Sequence, residues 1–216
     1  MFSSVIFDLD GTLLNTLEDL AAAANHTCTL MGWPTHSLDA YRFFVGNGIP
    51  KLVERFAPPA ARTPAQLAAA RRIFGEYYEA HKADRTAPYP GITSLLETLS
   101  AKGVSFGVVT NKDDGVARQM LRHYFGSAVA YAQGRTDALP AKPHPGTTLR
   151  LMECMGAAPA STLFVGDSDV DIFTAKNAGL ASCGVLWGFR PRSELEQAGA
   201  TYLVSDPAAL LEVILR

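Results

Sequence analysis

From residue 90 to residue 216, short apolar runs alternate with helical patterns, and few folds accept that order. The runs lie at residues 104–109, 162–165, 184–187 and 202–204, with one more at residues 5–7. They are rich in Val, Ile and Phe, and most end in Gly, Asp or Asn. Between them, Pro90-Gly91 opens a helix carrying Leu95, Leu96 and Leu99 on one stripe, and Gly103 ends it. Asp113 and Asp114 can cap the next helix, which carries Val116, Met120 and Leu121. A third starts at His144-Pro145 and ends near Gly156, and a fourth runs from Asp169 to Gly179. This predicts an α/β fold with a doubly wound parallel sheet, covered by helices on both faces.

Residues 16–83 follow another rule. Residues 17–30 have helical spacing, Gly46 and Gly48 interrupt it, and Leu52, Val53 and Phe56 resume it. Pro58-Pro59 makes a turn, and Thr63-Pro64 starts a helix reaching about His81. The expected organisation is therefore a core of residues 1–15 and 84–216, with an all-helical insertion, residues 16–83, after the first strand. Two chain crossings would join the parts and permit a hinge.

Composition removes whole function classes. With 48% hydrophobic and 19% charged residues, the 216-residue chain can bury a core. Nineteen Lys and Arg stand against 21 Asp and Glu, so no basic excess favours nucleic acid. Asp8 and Asp10 interrupt any apolar leader, and no stretch approaches the roughly 20 apolar residues that span a bilayer. Cys28, Cys154 and Cys183 are an odd, sparse set without metal spacing, which suits a reducing compartment. The expectation is a cytoplasmic protein with no membrane and no nucleic-acid partner.

Four segments carry chemistry. Asp8 and Asp10 flank Leu9 at the end of the first strand and would point to one side if the extended backbone continues through Asp10. An Asp10-Gly11 turn accounts for the second acid alone; it does not account for a carboxylate inside a core strand, which is costly without a cation or donors. Gly107-Val108-Val109-Thr110-Asn111 ends a strand in a hydroxyl and an amide, a pattern that a helix cap also explains. Lys142 sits between Ala141 and Pro143, where a solvated surface lysine is the ordinary reading. Gly166-Asp167-Ser168-Asp169-Val170-Asp171 brings three acids after a buried strand. They complement a helix dipole, and they also suit a hard cation with oxygen ligands.

Together, in this order, the segments resemble the haloacid dehalogenase-like superfamily of phosphotransferases. Its four motifs match Asp8-Leu9-Asp10-Gly11-Thr12, Thr110, Lys142, and Gly166-Asp167-Ser168 with Asp171. The resemblance spans essentially the whole chain and implies a Rossmann-like core with a helical cap. It implies that Asp8 is the nucleophile and that Asp10 protonates the leaving oxygen and later takes a proton from water. Thr110 and the Asn111 N–H would hold phosphoryl oxygens, and Lys142 would neutralise charge. Mg²⁺ would bind the Asp8 carboxylate, the Asp10 carbonyl and Asp167, with Asp171 orienting a metal-bound water and Ser168 supporting the loop.

Dehalogenases of the superfamily lack the second acid, present here as Asp10. The phosphonate-cleaving branch needs a cap lysine that neither Lys51 nor Lys82 clearly supplies. The mutase branch has a His where this chain has Leu20. Residues 19–23, 44–53 and 141–145 look like the phosphoglycolate phosphatase group, although Asn15 stands where that group usually has Asp. The implied reaction is hydrolysis of a small phosphate monoester, 2-phosphoglycolate first, by a monomer or homodimer. A 5′-nucleotidase, a sugar-phosphate phosphatase, a pyrophosphatase and a silent phosphate-ligand binding protein are the alternatives. The Gly46-Asn47-Gly48 loop would close over the substrate, with Gly46, Asn47 and Lys51 as binding residues, and Arg42, Lys51 or Arg55 would meet the substrate's second anionic group; a helix corner with solvated charges is the competing reading. Arg118, Arg190 and Arg192 read as surface charges, and His144 as a brace for its helix.

Overall fold

Residues 4–7 form β1 (Ser4–Phe7), buried along its whole length. In the computed structural model, which describes residues 1–216, β2 (Leu14–Asn15) follows, then four helices: α1 (Leu17–Leu30), α2 (Leu38–Phe44), α3 (Ile49–Phe56) and α4 (Pro64–His81). After β3 (Ala87–Pro88) come α5 (Ile92–Ala101), β4 (Ser105–Asp113), α6 (Asp114–Phe125), β5 (Tyr131–Arg135) and α7 (Gly146–Met155). The chain ends with β6 (Thr162–Gly166), α8 (Asp169–Asn177), β7 (Ala181–Val185), α9 (Arg192–Gln197), β8 (Tyr202–Val204) and α10 (Pro207–Leu215). It divides into two compact units, Met1–Leu14 with Pro88–Arg216, and Asn15–Ala87.

The first unit holds a six-stranded sheet in the order β5-β4-β1-β6-β7-β8, every pairing parallel. Alternate side chains enter opposite layers, as strand geometry requires. Val5, Phe7, Leu163 and Val165 pack with Leu96 of α5, Met120 of α6 and Ile214 of α10. Ile6 and Phe164 face the other way, onto Leu151 and Met152 of α7 and Ala175 of α8. Burial on both faces is why these strands read as unbroken apolar runs. β4 and β6 flank β1, and the connecting helices change faces there. Such a switch point opens a crevice beyond the carboxyl ends of the strands.

In the second unit, α1 buries Leu17, Leu20, Ala24 and Cys28, and α4 buries Ala70, Phe74 and Tyr78 at helical spacing. The Thr63 hydroxyl caps α4 by accepting from the Gln66 N–H, and Pro64 takes the first helical position. Buried Asp19 accepts from the Arg85 N–H, the Thr86 N–H (2.9 Å) and the Thr86 hydroxyl (2.7 Å), tying the first turn of α1 to the returning chain.

Three local readings need correction. The strand expected at residues 184–187 is β7, three residues earlier at its start; Trp187 lies in the following turn, where its indole N–H donates to the Thr12 carbonyl at 3.0 Å. β4 runs on to Asp113. The extended backbone of β1 stops at Phe7 and bends at Leu9, because the Leu9 carbonyl accepts from the N–H groups of Leu13 and Leu14. Asp8 and Asp10 therefore do not share one strand face.

Candidate active site

Asp8 follows β1 and is fixed by its own N–H, which donates to the Val165 carbonyl of β6 at 2.8 Å. Its side chain meets Lys142, whose Nζ lies 2.8 Å from Asp8 Oδ1 and 2.6 Å from Asp171 Oδ1. Lys142 is 4% exposed, so the surface-lysine reading fails. Burial disfavours its charge, and the carboxylates of Asp171 and Asp8 outweigh that cost and raise its pKa. Asn111 anchors the same segment from both sides: its Oδ1 accepts from the Lys142 N–H at 2.8 Å, and its Nδ2 donates to the Lys142 carbonyl at 3.2 Å. The Lys142–Pro143 peptide is cis.

Thr110, Asn111 and Lys112 sit where β4 loses register with β5, between Val109 and Asp113. Interruptions of this kind re-aim side chains beside active sites. The Thr110 hydroxyl is buried and accepts from the Lys112 N–H at 3.3 Å. The cap of α6 is Asp113, whose Oδ1 accepts from the Gly115 and Val116 N–H groups, so Thr110 and Asn111 are not spent on capping.

Asp167 follows β6 and is held by two separate segments, Gly11-Thr12 and Gly188-Phe189. Its Oδ1 accepts from the Thr12 hydroxyl at 3.3 Å, and its Oδ2 accepts from the Phe189 N–H at 2.7 Å. Gly11 and Gly188 both lie against it, and a Cβ on either would overlap its carboxylate. Asp171 is the third residue of α8 and closes a capping box with Ser168; its Oδ2 accepts from the Ser168 N–H at 3.1 Å and the Ser168 hydroxyl at 2.7 Å.

The carboxylates of Asp8, Asp167 and Asp171 bring ligand oxygens within 4.8 Å of one another. Burial pushes Asp8 up from 3.8 to about 7, against the pull of Lys142. Burial and the charges of Asp171 and Asp8 push Asp167 up as well, although the Phe189 N–H and Arg190 pull it down. Lys142 reaches Asp8 Oδ1 off the hydrogen-bonding direction, which leaves that buried oxygen without a donor. An all-oxygen, acid-rich cluster with an undersatisfied carboxylate fits a hard divalent cation. It is the kind of cation that the sequence reading expects.

Sequence reasoning missed two residues here. Lys112 drew no reading from the sequence; it is buried, and its Nζ holds both oxygens of Asp10 at 2.9 and 3.1 Å. Arg190, expected on the surface, is 7% exposed and pairs with Glu194 at 3.1 Å. Arg190 follows Phe189 directly, and this turn of the chain is pulled in by the bond to Asp167. Arg118 and Arg192 do lie at the surface, paired with Asp114 and Glu196. His144 accepts from the Gly146 N–H at its helix start, as a brace does.

In the helical unit, Gly46, Asn47 and Gly48 form the turn between α2 and α3. Arg55 braces it, donating to the Phe44 carbonyl and to Asn47 Oδ1, each at 2.7 Å. Lys51 pairs with Glu54 at 2.9 Å on the exposed side of α3.

Residues 5–185 match the family model of haloacid dehalogenase-like hydrolases. A phosphoglycolate phosphatase of Pasteurella multocida is 33% identical over 225 residues, covering 99% of this chain and 98% of that protein. One from Vibrio cholerae is 32% identical, covering 98% and 96%. A crystal structure from Lactobacillus delbrueckii subsp. bulgaricus, assigned as a phosphoglycolate phosphatase, superposes with a TM-score of 0.93 at 29% identity, covering 99% of this chain and 98% of that one. The acid pair after β1, the Thr110 strand end, the buried Lys142 and the Asp167 loop thus stand in a chain that belongs to the haloacid dehalogenase-like hydrolases.

Proposed function

We propose that this chain is a Mg²⁺-dependent phosphatase that hydrolyses a small phosphate monoester, 2-phosphoglycolate first, through an aspartyl-phosphate on Asp8. The observation that carries this reading is the buried meeting of Asp8, Lys142, Asp167 and Asp171 beyond the carboxyl ends of β1 and β6. Full-length relatives that are themselves named phosphoglycolate phosphatase support the choice of ester.

In the first step an Asp8 oxygen attacks phosphorus as the ester P–O bond breaks, and Asp10 gives its proton to the departing oxygen. In the second, water attacks phosphorus, Asp10 takes a proton from it, and the Asp8–phosphorus bond breaks. Thr110 and the Asn111 N–H orient the phosphoryl oxygens, and Lys142 offsets their charge. A magnesium ion held by Asp8, the Asp10 carbonyl and Asp167, with Asp171 and Ser168 supporting the loop, would neutralise phosphoryl charge when bound.

The unit with the parallel sheet is the catalytic core in this reading. The helical unit acts as the cap and selects among esters through Gly46, Asn47 and Lys51. No helix is long and apolar enough to cross a membrane. All three cysteines are free, which suits the cytoplasmic setting of this reading. The enzyme works as a monomer or homodimer.

Phosphate release from 2-phosphoglycolate, 5′-nucleotides, sugar phosphates and pyrophosphate tests this, each with Mg²⁺ and with EDTA. The expected result is Mg²⁺-dependent release, greatest in kcat/KM for 2-phosphoglycolate, and loss of all turnover in Asp8→Asn. A profile peaking on another ester discards the substrate. Robust turnover by pure Asp8→Asn protein discards the mechanism.

A further inference from the structure

The two carboxylates of the first motif are served by two different lysines, and the proposed mechanism uses only one of them. Lys142 takes Asp8. Lys112, at the interrupted end of β4, takes Asp10: its Nζ contacts both carboxylate oxygens, at 2.9 and 3.1 Å, across 102 residues of sequence. Lys112 is 7% exposed. A buried ammonium is costly to hold away from a counter-ion, so a lysine drawn in to this depth has its partner as the reason for its place.

We infer that Lys112 is a positioning residue for Asp10, fixing the direction from which its carboxyl group meets the leaving oxygen. The inference rests on the reading of Asp10 as the proton donor. A general acid acts only within about 2.6–3.2 Å of the atom it protonates. Asp10 lies outside regular β1, beyond the bend at Leu9, so its backbone alone does not fix its side chain. A cation on both oxygens holds the carboxyl group in one place by limiting its swing about the Cα–Cβ bond, and a misplacement of about 1 Å can cost roughly 100-fold in rate. Lys112 itself touches neither phosphorus nor the leaving group in this scheme.

Leaving-group dependence separates positioning from mere structural support. Protonation matters for an alkyl phosphate, whose alkoxide is a poor leaving group, and hardly at all for 4-nitrophenyl phosphate. The experiment measures kcat/KM at saturating Mg²⁺ on 2-phosphoglycolate and on 4-nitrophenyl phosphate, for wild type, Lys112→Met, Lys112→Arg and Asp10→Ala. Positioning predicts that Lys112→Met loses about 10²-fold on the alkyl ester and less than about threefold on the aryl ester, within the range of general acid catalysis. Asp10→Ala shows the same pattern more strongly, and Lys112→Arg recovers part of the alkyl activity.

Equal losses on both esters, or none on either, overturn the inference for Lys112. If Asp10→Ala keeps its leaving-group pattern in that case, the role of Asp10 stands. If Asp10→Ala also falls equally on both esters, the role of Asp10 fails and takes the inference with it. Should Lys112→Met not fold, Lys112→Gln carries the same comparison, since an amide keeps the length and loses the charge.

Discussion

Lys142 shows how much one side chain can hold. It is a buried cation facing Asp8 at 2.8 Å and Asp171 at 2.6 Å, with the Phe164 ring 5.6 Å from its Nζ. Replacing it with Met keeps the volume and leaves two buried carboxylates without their cation. Breaking a buried pair in this way costs about 3–5 kcal/mol, so chemical denaturation in EDTA at pH 8 is expected to show a loss of that size. A loss under about 1 kcal/mol, the size of an exposed pair, would contradict the burial argument. Lys142 was legible in the sequence only through its place in a motif; alone, Ala141-Lys142-Pro143 says surface. Lys112 and Arg190 were not legible at all. Lys112 stands between Asn111 and Asp113, and Arg190 between Phe189 and Pro191, and neither setting announces its partner: Asp10 from 102 residues away for Lys112, and Glu194 in the next helix for Arg190.

At the scale of elements, the turn after β7 braces the two acidic loops beside it. Trp187 donates to the Thr12 carbonyl and Phe189 to Asp167, while Gly188 lies so close that a Cβ would overlap Asp167 and the Gly11 carbonyl. Gly188→Ala must therefore push the turn or the Asp167 carboxylate aside. Outer contacts of metal ligands are commonly worth 10–100-fold in affinity, so half-maximal activation should need at least about tenfold more Mg²⁺. An unchanged Mg²⁺ titration would mean that the turn does not brace Asp167. The elements themselves were mostly readable. β1, β4 and β6 are buried on both faces and announce themselves as apolar runs, and α1 and α4 carry clean stripes and caps. β5 was missed because Tyr131-Ala132-Gln133-Gly134-Arg135 is a half-buried edge strand with no apolar run to read. The bend at Leu9 was missed because the bonds that stop β1 are made by the backbone of residues 13 and 14.

At the scale of the whole molecule, the acid cluster links pH, metal and stability. The folded protein raises Asp8 from 3.8 to about 7 and raises Asp167 in the same direction, both chiefly by burial. Between the unfolded value and the folded one, the native state binds more protons than the unfolded chain. Stability of the metal-free protein from these groups is therefore greatest at low pH and falls as pH rises from about 4 through about 7. A divalent cation competes with those protons. The Tm gain from Mg²⁺ should be larger at pH 8 than at pH 6, and smaller in Asp8→Asn at pH 8 than in wild type. A Tm gain that is independent of pH would mean that the cation binds elsewhere.

The central claim is that phosphorus is bonded in turn to Asp8 and to water. Two displacements each invert phosphorus, and one displacement by water inverts it once. The most direct measurement follows an isotopically chiral phosphorothioate monoester hydrolysed in isotopic water, or an isotopically chiral phosphate monoester whose phosphoryl group is transferred to an alcohol acceptor. Overall retention at phosphorus is the predicted result; net inversion would mean direct attack by water and would contradict the account.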